Sequence, residues 1–233
     1  MRYAWGSVDL LPALMGTRPD GRPLAEIWMG AHAAAPSSVE IDGHDVGLDD
    51  LIARFPHQTL GADILKESGA KLPFMMKLLA ADRPLSLQVH PSREQAEEGY
   101  RREDEAGIPL TDPSRNYRDI AHKPELLFAL RPFEMLCGFR PVEAIRDFAL
   151  WTCTPGPTAD SAAGVTVEGP PSGARIAVCC AGQCALIRRA EQMELRPGQA
   201  AFIPHSDGPL GISATGTVAV ACSRSSLSAI SRG

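Results

Sequence analysis

A chain of 233 residues with 44% hydrophobic and 22% charged residues has the composition of a globular protein, with room for one large domain or two small ones. Its net charge of −5, with Lys and Arg nowhere gathered into a stripe, removes the electrostatic reason to expect nucleic acid or an anionic membrane as partner. No apolar run approaches the length of a membrane span and no charged-then-apolar leader opens the chain, so a cytoplasmic protein is expected. The six cysteines fit that expectation, because none forms a Cys-x-x-Cys pair and buried reduced thiols need no disulfide framework.

Residues 1–47 are rich in Gly, Pro and Ala and read as loops with short strands, Glu26 to Gly30 among them. Helical patterning follows from Leu48 to Phe55, before Pro56, and from Ala62 to Glu67, before Gly69. Leu72 to Ala80 is a strand-like run with one charged residue, Lys77. Leu85 to Pro91 reads as a further strand. Ser92, with Gln95 three residues on, is a capping box that starts a helix from Arg93 to Ala106, stopped at Gly107. That helix is almost entirely charged, and its run from Arg101 to Glu105 is read as a solvated face. Pro141 opens another short helix, to about Trp151.

The texture then changes. Thr152 to Gly173 holds four prolines and no Lys or Arg, as a linker or surface junction does. From Ala174 the chain is strongly β, with short apolar runs punctuated by Ala181-Gly182, Arg196-Pro-Gly-Gln199 and Thr215-Gly216. Strands at this spacing indicate a sandwich or barrel, and the rhythm from Leu195 to Pro204 is typical of a cupin-type jelly roll. The expected fold is therefore mainly β, a cupin-type jelly-roll β-sandwich with a few short peripheral helices. Its expected divisions are an N-terminal part of a catalytic cupin (1–147), a junction (148–173), a C-terminal cupin-like segment (174–224) and a tail (225–233).

Candidate chemistry concentrates in Leu-Ser-Leu-Gln-Val-His-Pro, Leu85 to Pro91. Residues two apart share one face of a strand, so Leu85, Leu87 and Val89 form an apolar face and Ser86, Gln88 and His90 a polar one. Further on, His122-Lys123-Pro124-Glu125 leads into Leu-Leu-Phe-Ala-Leu, placing a carboxylate at the mouth of a second apolar strand. Gln88, His90 and Glu125 brought together from two strands make an N/O donor set suited to zinc.

These segments resemble those of the type I mannose-6-phosphate isomerases (phosphomannose isomerases), zinc enzymes built on cupin β-sandwiches. The resemblance rests on Tyr3-Ala-Trp-Gly-Ser7, Ala25 to His32, Leu72 to Lys77, Leu85 to Pro91, Asn116-Tyr117, His122 to Glu125 and Cys137 to Pro141, in that order. It runs continuously from Met1 to about Arg146, and the stretch from about Asp147 to Cys222 is similar to the family's last cupin domain. Family members are considerably longer. The portion between these parts normally carries a fourth zinc ligand, a histidine in Pro-x-x-x-x-His, and an arginine in Asn-x-x-Arg-Gly-Gly-Leu. Neither motif occurs in this sequence.

The resemblance implies zinc as cofactor, a sugar phosphate as small-molecule partner, and interconversion of mannose 6-phosphate and fructose 6-phosphate through an enediolate. It maps zinc ligands onto Gln88, His90 and Glu125 only. Lys123 is then the candidate catalytic cation, and Lys77 and Ser86 are candidates for binding substrate. The plain alternative is that both lysines are solvated neighbours of strands and that Ser86 satisfies a backbone group. His205, after Ile-Pro, could replace the missing ligand, although the family gives no support for that placement. A cupin lacking half its strands should expose apolar edges. The C-terminal strands could complete it as a composite sandwich, or a homo-oligomer could cover the gap. The alternative to an isomerase is a catalytically inactive cupin remnant that binds metal or sugar phosphate.

Overall fold

The computed structural model describes residues 1–33, 35–85, 88–135, 148–153, 165–168, 173–189 and 191–223. Residues 1–84 together with 130–233 form one compact unit, and residues 85–129 form a second.

In the first unit a short helix α1 (Leu10–Leu14) precedes β1 (Glu26–Met29), and the hairpin β2 (Ser38–Ile41) and β3 (His44–Gly47) leads into three short helices. These are α2 (Leu48–Arg54), α3 (Pro56–Leu60) and α4 (Ala62–Ser68). The two expected helices are present, and Pro56 starts a third because proline suits a first helical turn. Leu48, Ile52, Leu60 and Ile64 bury one face of this group around Ala174. β4 (Met76–Leu79) returns antiparallel to β1, pairing Trp28 with Lys77 and Met29 with Met76.

The rest of the unit is a sandwich of two four-stranded antiparallel sheets. Its strands are β5 (Phe148–Cys153), β6 (Val165–Glu168), β7 (Arg175–Cys179), β8 (Cys184–Arg188), β9 (Glu191–Leu195), β10 (Ala200–Ile203), β11 (Gly211–Ala214) and β12 (Val218–Ser223). They assemble as β10-β7-β12-β5 and β6-β11-β8-β9. Ala177, Cys179, Leu186, Ile212, Val218 and Val220 fill the space between the sheets. At Ala181-Gly182 the chain reverses with Gly182 at φ +69°, where a Cβ would stand 2.8 Å from the Gly216 backbone. Glycine alone fits that turn.

β7 is buried along its whole length. Ala177 and Cys179 point into the sandwich, whereas Ile176, Val178 and Cys180 point the other way, onto Leu11, Met29, Met76 and Leu78. The outer face of the C-terminal sheet thus covers the apolar face of the β1–β4 ribbon. A near-continuous hydrophobic run is what such a doubly buried strand requires. The C-terminal strands thus pack against the β1–β4 ribbon without joining it into one sandwich, since β1 and β4 form a two-stranded sheet of their own.

Two expectations are corrected here. The stretch 148–173 is more than a junction: β5 pairs with β12 and β6 with β11, so both belong to the sandwich. The helix expected from Pro141 to Trp151 is overturned over Phe148–Trp151, which is strand. Its earlier residues lie outside the described ones. A short apolar run fits either period, and six residues in register with β12 decide for the strand.

The second unit is built on α5 (Arg93–Glu105). The capping box is in place, with Ser92 Oγ accepting from the Gln95 N–H at 3.2 Å and Gln95 Oε1 from the Ser92 N–H at 2.9 Å. Arg101 and Glu105 pair on the surface at 2.7 Å, but the solvated reading fails for Glu103, which is buried. Its carboxylate accepts from the backbone N–H groups of Asn116 (3.2 Å) and Tyr117 (2.8 Å). Arg115 completes this knot beneath the helix, donating from Nε to the Tyr117 carbonyl at 2.8 Å, pairing with Asp104 at 2.7 Å and lying 4.7 Å from the Tyr100 ring centre.

Candidate metal and substrate site

The second unit also holds the residues expected to bind metal. His90 Nε2 and Glu125 Oε1 lie 3.4 Å apart, with side chains 30% and 60% exposed. This is long for an N–H···O hydrogen bond. Two ligands at the usual zinc bond lengths, set at a tetrahedral angle, stand about 3.4 Å apart. Imidazole and carboxylate at this spacing fit zinc as two of its ligands. Gln88 is exposed on the same short stretch. Among the described residues no three His, Cys, Asp or Glu side chains gather closely enough to hold a metal ion.

Among the described residues, the strands expected to carry these side chains are not formed. Residues 88–91 and 122–130 are in neither strand nor helix, and Val89 is 88% exposed where burial was expected. The physical reason is pairing. An apolar run becomes a strand when a neighbour takes its N–H and C=O groups, and no backbone hydrogen bond joins either stretch to another described residue. Lys123 lies 3.3 Å from Asp119 Oδ2, in a half-exposed ion pair on the same segment as Glu125. Ser86 lies outside the described residues.

Lys77 belongs to the first unit. It is exposed on β4, with Nζ 5.2 Å from the Trp28 ring centre across the strand pair. The Trp28 indole N–H donates to Glu26 Oε2 at 2.7 Å, and the His32 ring stands edge-on to Trp28 at 5.3 Å. Ile27 and Met29 face the core, so Glu26, Trp28 and Lys77 share the opposite face of the ribbon. Glu26 is a buried carboxylate that the sequence reading passes over. The signal was available in Glu-Ile-Trp-Met, whose alternation sets Glu26 beside Trp28. Trp28 makes polar contacts on that face. His205 accepts from the Gly173 N–H through Nδ1 at 3.2 Å and packs on Gly61, which gives it a structural part in the first unit.

Residues 1–142 match the model of the phosphomannose isomerase type I catalytic domain. The chain belongs to the type I phosphomannose isomerase family. Mannose-6-phosphate isomerase of Escherichia coli K12 is 45% identical over 145 residues, 61% of this chain and 37% of that protein. The Homo sapiens enzyme is 35% identical over 158 residues, 63% of this chain and 34% of that protein. The chain thus matches just over a third of the length of these relatives. The crystal structure of mannose 6-phosphate isomerase from Salmonella typhimurium bound to substrate and zinc superposes with a TM-score of 0.77. It is 20% identical, and the match covers 96% of this chain and 97% of that one. Family membership thus rests on the N-terminal 142 residues, while the likeness in fold reaches the C-terminal sandwich.

Proposed function

We propose that the chain is a zinc-dependent aldose–ketose isomerase that interconverts mannose 6-phosphate and fructose 6-phosphate. We read its scaffold as a cupin-type jelly roll shortened internally, working in the cytoplasm on a small-molecule sugar phosphate. The 3.4 Å approach of His90 to Glu125 carries this reading, since it sets two hard donors of the family-matched segment at the spacing of shared zinc ligands. The internal shortening is supported by the contrast between sequence matches limited to about a third of each relative and a structural match spanning 97% of the Salmonella chain.

In this reading His90 and Glu125 hold zinc, with Gln88 as a weaker third ligand. Zinc there supplies Lewis-acid polarisation of the sugar's oxygens. Lys123 sets an ammonium beside the charge that develops as a proton moves between C2 and C1, and Asp119 restrains its position. Lys77, held over Trp28 in the first unit, remains a substrate-binding candidate by the family resemblance alone. Neither the arginine nor the fourth ligand of the family has a counterpart in sequence, so turnover falls well below that of a full-length relative. Each group at a developing oxyanion is worth on the order of 10²–10³.

The test is isomerisation of mannose 6-phosphate by purified protein with and without added zinc. Zinc-dependent turnover that His90→Ala abolishes supports the reading. Folded protein without turnover gives way to the second reading, an inactive cupin remnant, which the 60% exposure of Glu125 favours. Zinc content then decides whether the remnant binds metal: Gln88→Ala and Glu125→Ala variants that retain as much zinc as the parent would disprove the proposed ligand set.

A further inference from the structure

The sequence contains three Asp-Gly steps, Asp20-Gly21, Asp42-Gly43 and Asp207-Gly208. Such a step is chemically weak, because glycine has no side chain to shield its backbone nitrogen from the aspartate before it. When that nitrogen attacks the side-chain carboxyl carbon, a C–N bond forms. The amide hydrogen and the carboxyl hydroxyl leave together as water. Water then opens the resulting succinimide at either carbonyl, returning aspartate or giving isoaspartate, in which the main chain runs through the side chain. The carboxyl reacts in its protonated form, and the amide nitrogen must be free to approach it. The three sites differ in both respects.

At Asp20 the Arg22 N–H donates to the carboxylate at 3.0 Å and Arg2 pairs with it at 2.8 Å. These contacts hold the carboxyl below its ordinary value of 3.8, and so in the ionised, unreactive form. Asp207 Oδ1 lies 3.2 Å from Arg188, and the Gly208 N–H already donates to the His205 carbonyl at 3.1 Å. Asp42 and Gly43 are instead the exposed tip of the β2–β3 hairpin. Among the described residues neither the Asp42 carboxylate nor the Gly43 N–H has a hydrogen-bond partner. Their φ angles are +50° and +77°, those of a two-residue turn closed by the flanking pair Ile41 and His44. The hairpin is a two-stranded sheet of four-residue strands, which braces its turn weakly.

We propose that Asp42 is the site at which this chain converts to isoaspartate, through a succinimide formed with Gly43, while the fold protects Asp20 and Asp207. The conversion inserts one more carbon into the main chain at the turn and leaves a free α-carboxylate there. Ile41 and His44 then lose their register at the end of the hairpin. The inference is independent of whether the protein turns over sugar phosphate.

The test is incubation of the intact protein for several weeks at about pH 5, near enough to the ordinary aspartate range for some carboxyl to be protonated. Digestion with a protease that cuts before aspartate but not before isoaspartate then reads each site separately by mass spectrometry. Isoaspartate should accumulate at Asp42 at least about fivefold faster than at Asp20 or Asp207, the effect of one net hydrogen bond held against a reaction. In urea the three rates should converge, because the chemistry is shared and only the fold separates the sites. Arg2→Ala should raise the rate at Asp20 in the folded protein and leave Asp42 and Asp207 unchanged. A rate at Asp20 or Asp207 equal to that at Asp42 in the folded protein would overturn the proposal. So would an Asp42 that stays intact in the folded protein while reacting in urea.

Discussion

Ala174 to Cys180 and Leu126 to Leu130 are both short runs rich in apolar residues, yet they meet opposite fates. The first contains a strand buried on both faces, hydrogen-bonded on each side and enclosed by two hydrophobic clusters. The second is neither strand nor helix and leaves four large apolar side chains near half exposed. Strand propensity is a preference for a half-buried pleated surface, and only the first run has neighbours to supply one. The two units are stabilised differently as well. Between its sheets the sandwich is held by apolar burial, whereas the 85–129 unit is pinned by a buried polar knot of Glu103, Arg115 and the Asn116–Tyr117 backbone.

The largest effects should therefore come from the sandwich core. Ile212 is fully buried between the sheets, so Ile212→Ala should cost about 2–5 kcal/mol, from lost burial and the cavity left behind. Phe128→Ala, removing a larger side chain from an exposed position, should cost under about 0.5 kcal/mol in dilute protein. Denaturant midpoints of the two variants measure the contrast, and equal losses would mean that Phe128 is packed in solution.

Arg115→Ala should act next, and locally. It removes the guanidinium that holds Tyr117, Asp104 and the Tyr100 ring together and leaves the buried Glu103 carboxylate without its cation. Amide exchange at Asn116 and Tyr117 should speed up while the β7 and β12 amides keep their protection. A uniform rise across both units would show that the knot supports the whole molecule.

The same knot sets a pH dependence. Hydrogen bonds from the Tyr117 and Asn116 N–H groups, with Arg115 alongside, hold the Glu103 carboxyl below its ordinary value of 4.5, against the opposing pull of burial. A carboxylate depressed in the folded state contributes stability that is complete above its unfolded value and is lost as pH falls through the lower, folded one. Acid should therefore loosen the 85–129 unit first, seen as amide exchange at Tyr117 rising below about pH 4.5. Glu103→Gln should flatten that dependence.

How much of this was legible in the sequence follows the same division. The C-terminal strands and their turns were readable because each apolar run there is bounded by glycine or proline and has a partner close along the chain. The Ser92 cap was readable because its partner is three residues away. Phe148–Trp151 was misread as helix because its partner, β12, lies some seventy residues further on. The Glu103 knot was hidden for a related reason: a charged helix face resembles solvent-exposed surface until the loop that folds beneath it is known. Of the site, residue types and the pairing of His90 with Glu125 were legible. The strands assumed to carry them were not, since period-two alternation describes a strand only where another one pairs with it.

The buried thiols sharpen the comparison at its smallest effect. Cys180 and Cys222 are buried in the first unit, and burial raises both thiols to about 11 from the ordinary 9.0. A group raised in the folded state contributes stability that is complete below its unfolded value and disappears as pH climbs through the folded one, so the sandwich should weaken between about pH 9 and 11. At pH 8 the same shift leaves little thiolate, which lowers alkylation about a hundredfold or more relative to a solvated cysteine, before access is considered. The 85–129 unit contains no cysteine, so Leu127→Cys places a reporter thiol on its exposed segment. That thiol should react at nearly the rate of a free peptide, while Cys180 and Cys222 react only as fast as the sandwich opens. If Leu127→Cys proves as slow as Cys222 in dilute protein, the segment is covered within a single chain, and the contrast between the two apolar runs disappears.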